Sequence, residues 1–117
     1  ASVCAEIVVQ GNHEFYDYEA KYLDDSAQLI VPAQLPESIH EQARALATSV
    51  FSMMDCAGLA RVDLFLVGDE LIVNEVNTMP GFTSISMYPR MWQHTGVEYQ
   101  DLITELINDA LFRVENN

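Results

Sequence analysis

Basic residues are the scarcest feature of this sequence: five lysines and arginines face 18 aspartates and glutamates, for a net charge of −13. A surface so acidic repels phosphate backbones and anionic lipid, which argues against nucleic acid and membrane surfaces as partners. Long apolar runs are absent too. None approaches the ~20 residues that a membrane-spanning helix needs. The opening ASVCAEIVVQ has no basic stretch of the kind that starts a secretory signal, so a soluble, cytoplasmic protein is expected. Cysteine occurs twice, as Cys4 and Cys56, at no metal-ligand spacing, and two reduced, packed thiols are expected. His13, His40 and His94 are too scattered for a zinc site or a catalytic dyad and read as surface residues. Five glycines and four prolines leave no low-complexity stretch, linker or repeat.

What is present is half apolar and one-fifth charged over 117 residues. That is the profile of one domain, residues 1–117, with a core large enough to fold without disulfide or metal staples. It opens on Ala1 inside a strand-like run and is expected to be part of a longer polypeptide. Residues 4–9 form that run, and Gly11-Asn12 signal a turn. Residues 13–25, HEFYDYEAKYLDD, set four aromatic rings among acids with no helical or strand period and predict an ordered, partly exposed loop. A second strand spans residues 28–31 and closes at Pro32. Pro36 and Glu37 open a helix, whose apolar stripe runs through Ile39, Ala43, Leu46, Ala47, Val50, Phe51 and Met54, with Gly58 as its stop. Pro89 suits the first turn of a short helix that ends at Gly96, and a last helix spans residues 99–112. The fold class is α+β, with helices packed on a largely antiparallel sheet.

Residues 60–67 and 71–77 are β-rich on either side of Gly68-Asp69-Glu70 and predict an antiparallel hairpin. Alternation places Arg61, Asp63 and Phe65 on one face of the first strand, and Leu71, Val73, Glu75 and Asn77 on one face of the second. A three-residue loop sets Val67 opposite Leu71, Asp63 opposite Glu75 and Arg61 opposite Asn77, and is the preferred reading. A two-residue loop sets Asp63 beside Asn74 instead. Like charges directly opposite one another destabilise a sheet, so a cation is expected between Asp63 and Glu75. Two carboxylates and the amide oxygen of Asn77 are ligands that Mg²⁺ uses, together with waters and substrate phosphates. A salt bridge from Arg61 to Asp63 or Glu75 on a solvated face answers the same charges. Lys21, the only lysine, either balances neighbouring acids or reaches a phosphate. Residues 80–86 either simply connect two elements or use the hydroxyls of Thr83, Ser84 and Ser86 to hold a carboxylate.

Three stretches, FYDYEAKY (15–22), ARVDLFL (60–66) and NEVNTMPGFTSISMYP (74–89), together resemble the D-alanine–D-alanine ligases of the ATP-grasp superfamily. The resemblance implies the carboxyl-terminal subdomain of an ATP-grasp fold, about the last third of such a ligase, with the amino-terminal and adenine-binding parts elsewhere. It implies an ATP-dependent ligase that joins two D-alanines through an acyl phosphate for peptidoglycan synthesis, with the 117 residues inactive alone and the whole enzyme a homodimer. By resemblance, Asp63, Glu75 and Asn77 bind two Mg²⁺ ions, for which Mn²⁺ can substitute, and Glu75 bridges them. Arg61 and the N–H of Gly81 stabilise the tetrahedral intermediate, and Lys21 reaches an ATP phosphate. Ser86, with Met87 beside it, holds the carboxylate of the second D-alanine, and Gly81 lies in the same substrate site. Tyr22 joins the network that closes loop 13–25 over the site, and points to D-alanine rather than D-lactate. Two other readings stand beside this one: another ATP-grasp ligase, including one that makes depsipeptides with D-lactate, and an acidic metal-binding module without turnover.

Overall fold

The computed structural model describes residues 1–9 and 27–117; the Gly11-Asn12 turn, loop 13–25, Lys21 and Tyr22 lie outside the described residues. The element order is β1 (Glu6–Val9), β2 (Ala27–Ile30), α1 (Glu37–Met53), β3 (Arg61–Val67), β4 (Glu70–Asn77), α2 (Met87–Thr95) and α3 (Tyr99–Glu115). The α+β expectation holds. Among the described residues the strands form two separate antiparallel pairs, β1 with β2 and β3 with β4, rather than one sheet.

Strand β1 begins at Glu6, not at Cys4, because the preceding main chain finds its partners elsewhere. The Val3 N–H donates to Thr95 Oγ1 at 2.9 Å, and the Cys4 N–H donates to His40 Nε2 at 2.9 Å. The Cys4 carbonyl accepts from Ala33 N–H at 2.8 Å, and the Arg44 guanidinium donates to the carbonyls of Ala1 and Ser2. Side chains of α1 and α2 therefore take the place of a neighbouring strand. His40, expected on the surface, is half-buried as this acceptor. Both cysteines are free thiols, as expected, and desolvation pushes the Cys4 thiol up from its ordinary pKa.

Helix α1 has Pro36 at its N-cap and Glu37 in the first turn, and it buries Ile39 and Ala43. It stops five residues before the expected Gly58. Asp55 takes a left-handed φ of 52°, and the Cys56 and Asp55 N–H groups bond back to the Phe51 and Ser52 carbonyls at 3.0 and 3.1 Å. That pairing is a Schellman closure with aspartate where glycine is usual. Helix α2 closes the same way at Gly96, φ 102°, through Gly96 N–H to Gln93 O and Val97 N–H to Trp92 O. The turn directs α3 back against α2, while α1 packs on β3.

The hairpin combines both readings of its register. Near the tip Val67 pairs with Glu70, Leu66 with Leu71, Phe65 with Ile72 and Leu64 with Val73. This is the ladder of a two-residue loop, Gly68-Asp69, with Gly68 supplying a φ of 62°. The register then shifts, and Asp63 pairs with Glu75, Val62 with Val76 and Arg61 with Asn77. Asn74 is the extra residue of a β-bulge, so the expected Asp63–Glu75 pairing is present although the three-residue loop is not. The bulge also separates residues expected on one face: Leu71 and Val73 pair with Leu66 and Leu64, while Glu75 and Asn77 share the face of Asp63 and Arg61.

Leu102 of α3 is 5% exposed and is one of the few buried apolar side chains among the described residues. Leu102→Ala should therefore lower the stability of the intact protein by about 2–5 kcal/mol, read from the denaturant midpoint. A shift below half of that range would place the packing centre elsewhere.

Candidate active site

The first residue of β3, Arg61, reaches along its own face to Asp63. The fork is bidentate, with Nε to Oδ1 at 2.7 Å and Nη2 to Oδ2 at 2.9 Å. Nη2 also lies 3.6 Å from Glu75 Oε1 across the ladder. The guanidinium and the Asp63 carboxylate are 12% and 15% exposed, and Glu75 is 43% exposed. Arg61 is thus the cation that the like-charge rung requires, nearly desolvated on the Asp63 side and wet on the Glu75 side. Asn77, opposite Arg61, accepts the Met79 N–H at Oδ1 at 3.0 Å, and this bond turns the chain into the following loop.

The donor set can be tested for a divalent cation. No group of three or more His, Cys, Asp and Glu occurs among the described residues, so no cage made wholly of protein exists there. Two carboxylates on one rung and an amide oxygen with a second lone pair do fit Mg²⁺, which commonly takes one or two carboxylates and fills its shell with water and phosphate. The three expected ligands, Asp63, Glu75 and Asn77, share one face of the hairpin base.

Residues 78–86 lead from Asn77 to α2. Ser86 is the N-cap position of α2 and makes no capping bond of its own; its hydroxyl turns back into the loop. Thr83 N–H donates to Ser86 Oγ at 2.9 Å, the two hydroxyls lie 2.8 Å apart, and Ser86 N–H donates to Thr83 O at 3.0 Å. A methyl group on Gly81 would stand 3.3 Å from Ser86 Oγ, so the glycine lets these two residues approach. Gly81 is exposed, and Ser86 and Met87 are half-buried. The loop's apolar anchor is Phe82, whose ring lies 5.8 Å from Tyr88 and 5.5 Å from Tyr99. The sequence reading missed these three rings as a group, because nothing at spacings of six and eleven residues marks a cluster. Burial pushes the Tyr88 phenol up from its ordinary pKa, partly offset by a hydrogen bond with Trp92. Arg61 and Asp63 also line a largely apolar cavity of about 760 Å³, walled by Phe51 of α1 and Tyr88 of α2 among others. Lys21 and Tyr22 lie outside the described residues and are not placed with this group.

The family model described as D-ala D-ala ligase C-terminus matches residues 1–108. The chain belongs to this ligase family. The D-alanine–D-alanine ligase A of Salmonella typhimurium is 53% identical over 115 residues, covering 97% of this chain and 31% of that protein. The VanG D-Ala:D-Ser ligase of Enterococcus faecalis matches in structure with a TM-score of 0.78 at 32% identity, over 92% of this chain and 31% of that one. The Bacillus anthracis D-alanine–D-alanine ligase complexed with ATP gives a TM-score of 0.69 at 27% identity, over 74% of this chain and 30% of that one. The ligase segment described here therefore spans about a third of the length of the relatives it matches.

In this ligase segment Ser86→Ala removes the acceptor of the Thr83 N–H. Hydrogen exchange at the Thr83 amide should quicken about fivefold or more, the equivalent of one lost hydrogen bond, while amides in the middle of α3 keep their rates. Unchanged exchange at Thr83 would show that the hydroxyl does not organise the loop.

Proposed function

We propose that these 117 residues are the carboxyl-terminal catalytic part of an ATP-dependent ligase that joins two D-alanines for peptidoglycan synthesis. One observation carries the proposal: in a chain of this family, Arg61 sits between two facing carboxylates, Asp63 and Glu75, beside a glycine- and hydroxyl-rich loop. The remaining domains of the ligase supply the adenine pocket and the first D-alanine's site. Cytoplasmic location and homodimerisation belong to the same reading.

Asp63, Glu75 and Asn77 would hold two Mg²⁺ ions, or Mn²⁺ in their place, which supply positive charge to the transferring phosphoryl group when bound. The γ-phosphoryl passes from ATP to the carboxylate of the first D-alanine. The amine of the second attacks the acyl carbon and phosphate leaves. Arg61 has further N–H donors besides the two given to Asp63, and with the Gly81 N–H it stabilises the oxygen that becomes negative as the carbonyl turns tetrahedral. The Ser86 hydroxyl, at the positive end of α2, binds the carboxylate of the attacking D-alanine, with Met87 alongside. Lys21 binds an ATP phosphate. Tyr22 helps to exclude water from the acyl phosphate and favours an amine over the hydroxyl of D-lactate.

Given ATP, Mg²⁺ and D-alanine, the intact protein should release one phosphate for each dipeptide formed, and no release would defeat the ligase reading. Glu75→Gln keeps the shape of the rung but removes a charge, so turnover should fall about a hundredfold or more. Mn²⁺ binding followed by electron paramagnetic resonance should weaken in parallel. Wild-type Mn²⁺ affinity in this variant would remove Glu75 from the ligand set.

A further inference from the structure

We propose that Tyr99 is a positioning residue that aims the Ser86 hydroxyl through the peptide plane between Phe82 and Thr83. The inference rests on the reading of Ser86 as the site of the acceptor's carboxylate and adds a residue outside the loop to it. The Tyr99 hydroxyl donates to the Phe82 carbonyl at 3.1 Å. The N–H on the other side of that peptide belongs to Thr83, and it donates to Ser86 Oγ at 2.9 Å. The peptide group is rigid and planar, and in its trans form C=O and N–H point in opposite directions. Holding the carbonyl therefore aims the N–H. Once Ser86 Oγ accepts that bond, its own proton is left to donate, either to Thr83 Oγ1 at 2.8 Å or to a bound carboxylate.

The anchor is itself fixed. Tyr99 is the first residue of α3, set by the Gly96 turn from α2 and by enclosed Leu102 one turn on. Its ring packs on Phe82 from one side while Tyr88, 7% exposed, packs from another. Residues 78–86 carry no helix or strand, so their geometry depends on such tethers. The loop is held between the first turns of two helices whose spacing is set elsewhere.

The test uses the intact ligase and two variants, Tyr99→Phe, which keeps the ring and removes the hydroxyl, and Tyr99→Leu, which removes both. In Tyr99→Phe, KM for the acceptor D-alanine should rise about three- to tenfold, with kcat and KM for ATP within about twofold of wild type. Hydrogen exchange at the Thr83 amide should quicken by a similar factor, and Tyr99→Leu should show larger effects of the same pattern. An unchanged acceptor KM in a folded Tyr99→Leu protein overturns the proposal. So does a fall in kcat with both KM values moving together, since general loosening acts that way. Wild-type protein that forms no dipeptide defeats the ligase reading instead, and Thr83 exchange in the variants then decides the anchoring by itself.

Discussion

Two carboxylates facing each other across one rung of a ladder repel, and the base of the β3–β4 hairpin is arranged around that repulsion. Arg61 meets it from the rung below, giving a bidentate fork to Asp63 and leaning towards Glu75. The guanidinium and the Asp63 carboxylate are both nearly desolvated, so neither is readily surrendered without a replacement. Any divalent cation bound at this face would have to share the Asp63 oxygens with an arginine that already holds both of them.

The hairpin shows what local sequence signals determine and where they stop. Alternation and the glycine-centred turn located both strands, and the Asp63–Glu75 pairing followed from them. The loop length did not. A two-residue turn and a later bulge at Asn74 reach the same rung as a longer turn without a bulge, and asparagine carries no mark that separates the two. The bulge also undid the assumption that Leu71, Val73, Glu75 and Asn77 share a face. Helical stripes were legible only in part: Ile39 and Ala43 of α1 and Leu102 of α3 are buried, whereas Met54 at the end of one expected stripe is exposed. The end of α1 was harder, since Asp55 adopts the left-handed turn that the eye assigns to Gly58. Partners distant in sequence left no trace at all: His40 accepting from Cys4, 36 residues away, is a tertiary fact.

The motif in residues 74–89 pointed to the family that the family model matches. What supports that loop lies partly beyond it. Phe82 and Tyr88 fall within the motif, but Tyr99 comes ten residues after its end and completes the cluster from the next helix. A short motif records the contacts a reaction needs, whereas the rigidity behind those contacts is spread over neighbouring elements and is visible only once they are packed.

The extra residue at Asn74 is also slack in the strand. Removing one residue between Glu70 and Val73 could be absorbed by closing the bulge, which would leave the Asp63–Glu75 and Arg61–Asn77 rungs where they are and turn over only the tip-side residues of β4. Length changes at the exposed end of the hairpin are in this way mechanically insulated from the ion pair at its base.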